Sequence, residues 1–293
     1  MKEIKDSKIR IKKDKKNRKY DTLSITRELE KTLNIKVAND KYQKKKNIKK
    51  ITVILFRIIA VLAIILIIVF FSWLKSPIKR NEYSNYYMNS KQDVQVVENK
   101  GDNIVFSPQM NSKIGLIIVP GEKIENKSYA RLCNMLAKKG YTVFVPEVRF
   151  NFPAFSKGSV KSIIDRNPGI DTWILIGHST SGRAVLKQAA NIKHINGVVF
   201  MGAYSEGNDL KLINKPALSI WGTKDGILDF TKFEVYKKNM PSNSHYYEIV
   251  GGNNTNFADI EVLDGDNKSI ISAEEQQQET ANKIDDFIKE LDK

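Results

Sequence analysis

The chain has 293 residues, 48 Lys+Arg against 33 Asp+Glu, a formal net charge of +15 and one cysteine. A hydrophobic content of 41% sustains a packed core and excludes a wholly disordered chain. One Cys excludes an intramolecular disulfide framework and a Cys-cluster zinc site, and three His leave little for metal ligation or histidine catalysis.

The charge is concentrated at the front. Residues 1–50 hold 19 Lys+Arg and 7 Asp+Glu, a net of +12, which leaves +3 for residues 51–293. Runs such as Lys44-Lys45-Lys46 lack apolar partners, so residues 1–50 are expected to be a largely disordered basic tail. Within it, Leu23, Ile25, Leu29 and Leu33 stand at roughly helical spacing, which predicts a short amphipathic helix over Asp21 to Leu33, capped by Asp21 or Thr22. No nucleic-acid partner is expected, because no binding fold accompanies the charge. The tail is expected to lie near anionic lipid headgroups.

Ile51 to Leu74 is a 24-residue apolar run interrupted only by Arg57. A bilayer core needs about 20 apolar residues in a helix, and a core helix seldom stays apolar on every face over such a length. Arg57, near one end, can snorkel, and Trp73 stands where an aromatic belt would lie. Residues 31–50 carry eight Lys, whereas 75–95 carry only Lys75, Lys79, Arg80 and Lys91. The positive side stays inside, so the run predicts a single-pass signal anchor with a cytoplasmic N-terminus and an extracytoplasmic C-terminal domain. No small-residue cleavage site follows Phe71. An exported domain without disulfides points to a bacterial setting. Residues 75–105 are polar and Tyr/Asn-rich, with Pro77, and read as a linker.

From 106 to 293, short apolar runs alternate with amphipathic stretches. Strands are predicted at 114–119, 141–145, 173–176, 197–201, 217–221 and 246–250, and helices at 128–139, 159–166, 181–190 and 231–239. A last helix follows a Ser272/Glu275 capping box and carries Ala281, Ile284, Phe287, Ile288 and Leu291 on one face. The class is therefore α/β, a mainly parallel sheet with helices on both faces. In such a sheet, chemistry collects at the C-terminal ends of the strands.

The strand at 173–176 runs into Gly177-His178-Ser179-Thr180-Ser181-Gly182 and then a helix. A serine on a sharp strand-to-helix turn exposes its hydroxyl at the sheet top, and small residues two before and two after let the strained backbone pass. Gly177 meets the first need; Ser181, still small, stands where glycine is usual. Ser179 is thus the candidate nucleophile. Asp225, in Gly222-Thr223-Lys224-Asp225-Gly226, follows another strand at the same end of the sheet.

With these and other motifs in order, residues 112–291 resemble the α/β-hydrolase superfamily, fold-5 group. The motifs are LIIVPGEKIENKSYARLCNMLAKKGYTVFVPE, FNFPAF, WILIGHSTSGRAV, GVVFMGAYSEGNDL, LSIWGTKDGI, and EIVGGNNTNFA followed by GD and EEQQ. The resemblance implies a serine hydrolase acting on carboxylic-ester-like substrates, without a metal or cofactor. It places Ser179 as nucleophile and Asp225 as the triad acid, with Gly177, His178, Ser181 and Gly182 forming the elbow turn. Backbone N–H groups of Glu122 and Thr180 would form the oxyanion hole, although the family usually has two glycines where this chain has Gly121-Glu122.

The resembled family reads G-G-N-H after the last strand; here Gly251-Gly252-Asn253-Asn254 puts Asn254 in the histidine slot. Asparagine does not titrate and cannot take the serine proton. His178 should pack beside the strand top. His194 and His245 stand at strand entrances, roughly 15 Å or more from the top for a five-residue strand. Losing the base costs a serine hydrolase about a millionfold. Impaired hydrolysis is therefore expected, the alternative being a pseudo-hydrolase that binds a ligand or scaffolds a partner.

Overall fold

The computed structural model describes residues 22–74, 76–99 and 102–291, and the contacts divide the chain into two compact units that meet between Val69 and Phe70. Helix α1, Thr22–Leu74, is 53 residues long without a break. Residues 22–50 are therefore helical, which departs from the expected disorder over that part of the tail and carries the expected helix past Leu33; residues 1–21, Asp21 among them, lie outside the described residues. The cause is local. No Gly or Pro occurs between 22 and 74, and the basic stretch is made of strong helix formers that extend a helix already nucleated by the apolar run. Over residues 23–73 its side chains are exposed except for the half-buried Ala60, and the helix is long and apolar enough to cross a membrane.

The second unit begins earlier than its sequence indicates. Helix α2 (Tyr83–Tyr87), strand β1 (Val94–Asn99) and strand β2 (Asn103–Pro108) fall largely in the stretch expected to be a linker. Val94, Ile104 and Phe106 are fully buried, so this segment belongs to the domain. Its backbone is fixed as well: Ile78 N donates to Lys123 O at 2.8 Å and Asn81 N to Asp259 O at 3.1 Å.

Strand β3 (Ile114–Val119), helix α3 (Ala130–Lys138), β4 (Thr142–Pro146), α4 (Lys157–Arg166), β5 (Thr172–His178), α5 (Gly182–Asn191) and β6 (Ile195–Met201) follow. Then come α6 (Asp209–Leu212), β7 (Ala217–Gly222), α7 (Phe230–Lys237), β8 (Ser244–Ile249) and α8 (Ala273–Leu291). The expected Ser272/Glu275 capping box is formed at the start of α8, with Ser272 N donating to Glu275 Oε2 at 2.8 Å and Glu275 N to Ser272 Oγ at 3.1 Å.

The sheet has eight strands in the order β1-β2-β4-β3-β5-β6-β7-β8. β1, β2 and β4 pair antiparallel, and the pairs from β4 through β8 are parallel. Alternation divides the core. Leu116, Ile118, Ile174 and Ile176 face α3 and α8, while Ile117, Val119, Trp173 and Leu175 face α4 and α5. Cys133 lies in the first of these layers, where burial pushes its thiol well above the usual range.

Candidate active site

The parallel strands β3, β5, β7 and β8 end on one edge, and the loops that follow them hold the candidate residues. Ser179 takes φ +52°, a conformation that strains a residue with a Cβ by about 1–3 kcal/mol. Gly177 leaves space for the turn, since a Cβ there would stand 2.9 Å from Ser181 Oγ and 2.8 Å from Val185. Ser181 is buried and its hydroxyl has no hydrogen-bond partner among the described residues. Ser179 is half-buried and opens onto a cleft of about 350 Å³ that is also lined by Gly202, Tyr204, Ile227 and Leu228.

Glu122 and Thr180 are brought together, but through a side chain. Glu122 N–H donates to Thr180 Oγ1 at 2.7 Å, so the hydroxyl occupies a donor that an oxyanion would need. The Glu122 side chain lines a neighbouring cleft with Thr180.

Asp225 and Asn254 meet in the interior. Asp225 Oδ1 accepts from the N–H groups of Ile227 (2.9 Å) and Leu228 (2.8 Å), and Oδ2 accepts from Asn254 Nδ2 at 2.8 Å. Asn254 Nδ2 also donates to Gly202 O at 2.9 Å. Both of these partners are acceptors, which fixes the amide orientation. Asn254 therefore donates to the Asp225 carboxyl through its amide, a group that does not titrate and supplies no base. Its Oδ1 is buried without a partner among the described residues. Gly202 is required here. It sits at φ +52°, and a Cβ would stand 2.5 Å from Asn254 Nδ2 and 2.9 Å from Asp225 Oδ2.

His178 is fully buried and already engaged. Its Nε2 lies 3.0 Å from Asn254 O, which can only accept, so Nε2 carries the proton. Nδ1 then accepts from Tyr129 O–H at 2.8 Å, and the Tyr129 oxygen accepts from Gly121 N–H at 3.1 Å. The ring is neutral, because burial pushes it down to about 4. With both nitrogens used, it has no lone pair for Ser179. His194 and His245 are exposed; His245 pairs with Glu290 at 3.3 Å on the outer face of α8, well away from the elbow in the fold.

Several supporting residues carry no role in the linear reading. Asp266 binds both site loops, Oδ2 accepting from Thr255 N (2.7 Å) and Thr255 Oγ1 (2.6 Å), and Oδ1 from Gly226 N (2.8 Å). Gln276 of α8 clamps Asn253, accepting from its N–H at 3.0 Å and donating to its carbonyl at 2.7 Å. Asp266 and Gln276 stand in the GD and EEQQ motifs, which signal them. Tyr129 and Gly202 also stand inside the motifs given above, but nothing there sets them apart as site residues.

Two buried groups set opposing pH dependences. Burial pushes Asp225 up to about 6 from 3.8, despite its three donors, with Asp266 adding to the rise. It stabilises the fold most below pH 3.8, and that contribution is lost as pH rises through about 6. His178, lowered to about 4 from 6.5, contributes above pH 6.5 and loses it as pH falls through about 4. The two slopes oppose each other between about pH 4 and 6. His178→Gln, whose amide offers one donor and one acceptor, should leave the Asp225 slope alone. Its thermal stability is expected to fall by on the order of 2 kcal/mol from pH 4 to pH 6. A variant whose stability climbs over that range would overturn the assignment.

A family model described as "Alpha/beta hydrolase family" matches residues 115–278, more than half of the chain. No curated protein matches it. With the parallel sheet, the strained elbow after β5 and this match, the chain belongs to the α/β-hydrolase family.

Proposed function

We propose that this is a membrane-anchored α/β-hydrolase-fold protein whose site descends from an ester-type serine hydrolase and now serves chiefly to bind an ester-like ligand. One observation carries this reading: Asn254 Nδ2 is committed to Asp225 Oδ2 at 2.8 Å and Gly202 O at 2.9 Å, where a base would belong. Ser179 is the nucleophile by position and Asp225 the acid. The backbone N–H groups of Glu122 and Thr180 are the oxyanion donors, and an incoming anion has to displace the Thr180 hydroxyl from Glu122. The apolar run in α1 is the anchor. The eight Lys of residues 31–50 keep the N-terminus in the cytoplasm near anionic headgroups and leave the domain outside.

A second reading, a working hydrolase, is favoured by the strained Ser179 at φ +52°. Fluorophosphonate labelling of the detergent-solubilised full chain separates the two. Little labelling of the parent is expected over times that saturate an active serine hydrolase. Rapid labelling that vanishes in Ser179→Ala would sink the binding reading and require another base.

A further inference from the structure

A second cleft, of about 490 Å³, adjoins the first, and Thr180 and Arg183 line both. Its walls are of two kinds. Phe152, Pro153, Ala154 and Ala184 give an apolar surface, and Lys157 and Lys187 stand with them. Neither lysine has an ion pair among the described residues, whereas Arg183 faces Glu206 at 3.7 Å. The lining holds three cations against the single carboxylate of Glu122.

The wall is built rather than incidental. Ser156 Oγ donates to Pro153 O at 2.6 Å, and Gln188 Nε2 of α5 donates to Ser156 Oγ at 2.7 Å. This ties the Phe152–Ser156 segment to the elbow helix. Gln188 is 4% exposed and lines the cleft, and its Oε1 has no partner among the described residues. Apolar walls beside unpaired cations suit a molecule with a hydrocarbon part and an anionic head.

The same segment also carries an exposed aromatic ring. Phe155 is 55% exposed and contacts Phe150, with ring centroids 6.3 Å apart. Phe150 in turn meets Phe71, within the last four residues of the apolar run, at 6.4 Å. A continuous aromatic surface therefore joins the cleft wall to the residues that end the membrane-spanning run, which favours a lipid over a soluble ligand.

We infer that the second cleft binds the phosphate head and proximal acyl chain of an anionic membrane lipid, with the head between Lys157 and Lys187 and the chain on Phe152–Ala154. This rests on the reading of Ser179 as an ester-binding site and names its ligand class.

The test is calorimetric titration of the full-length Ser179→Ala chain in a non-ionic detergent, so that the result does not depend on the reactivity of the serine. The probes are diheptanoyl phosphatidic acid, diheptanoyl phosphatidylcholine and inorganic phosphate. Phosphatidic acid is expected to bind best. Lys157→Glu combined with Lys187→Glu should weaken it by about tenfold or more. Both positions are exposed, and Lys157 opens α4, where Glu suits the helix N-terminus, so this chain should fold. Ala184→Phe, which fills the apolar wall, should weaken binding independently of charge.

Equal binding of phosphatidylcholine would overturn the role of the lysines. Inorganic phosphate binding as tightly as phosphatidic acid would overturn the lipid assignment, as would heat that is unchanged in both variants or absent throughout. Fluorophosphonate labelling of the parent reports on Ser179 alone, so failure of the ester-site reading is distinguishable from failure of this one.

Discussion

Asn254→His is expected to raise ester turnover by about 10²–10⁴-fold, the usual contribution of a positioned general base. On the proposed reading a histidine at 254 would find its partner in place: Asp225 Oδ2 accepts from Asn254 Nδ2 at 2.8 Å, the hydrogen bond an imidazole Nδ1–H would make. Asp225 is itself oriented by the N–H groups of Ile227 and Leu228, so its carboxylate is held before the histidine arrives. The gain falls short of the full millionfold cost of a lost triad base, because the Thr180 hydroxyl still occupies the Glu122 N–H. Hydrolysis of a p-nitrophenyl ester by the full chain reads this directly. The gain must vanish in Asn254→His combined with Ser179→Ala. A variant that unfolds at the parent's temperature yet gains nothing would show that position 254 does not limit turnover.

A large loss of stability is expected from Gly202→Ala, at about 3 kcal/mol. A residue with a Cβ at φ +52° is strained, and the added methyl would stand 2.5 Å from Asn254 Nδ2 and 2.9 Å from Asp225 Oδ2. The amide has to move, which leaves Gly202 O and one Asp225 oxygen without their donor in a buried place. For a domain of this size the thermal midpoint should fall by about 6–12 °C. Gly158→Ala is the control. Gly158 lies in α4, and its added Cβ would meet nothing within 4 Å, so that change should be neutral or stabilising by about 0.5–1 kcal/mol. A Gly202→Ala midpoint within about 2 °C of the parent would mean that the loop absorbs the methyl and that the Asn254 contacts are soft.

Most parallel strands were legible because they are buried apolar runs ending at or next to Pro or Gly: Val119 before Pro120-Gly121 in β3, Ile176 before Gly177 near the end of β5, Trp221 before Gly222 at the end of β7. β1 and β2 were not, because Val94 and Val96, and Ile104 and Phe106, are two-residue alternations set in a polar stretch that reads as linker until they pair with each other and with β4. The length of α1 was hidden for a different reason. Charge predicts solvation, but helix propagation depends on the absence of Gly and Pro, and the two criteria disagree over residues 22–50. In the site, Ser179, Asp225 and Asn254 lie in contiguous motifs, so they could be read. Tyr129 touches His178, and Gly202 touches Asn254, only after the chain has folded. Long-range hydrogen bonds of this kind leave no local pattern.

The clamp of Gln276 on Asn253 also imposes an order in time. Gln276 follows Ser179, Asp225 and Asn254 in the chain, and it alone grips both the N–H and the carbonyl of Asn253. Until α8 has been synthesised and has docked, the loop bearing Asn254 lacks both hydrogen bonds that Gln276 makes with Asn253. A nascent chain halted before that helix would carry the Asn254 loop without its clamp. The fully braced loop is thereby reserved for chains synthesised past Gln276.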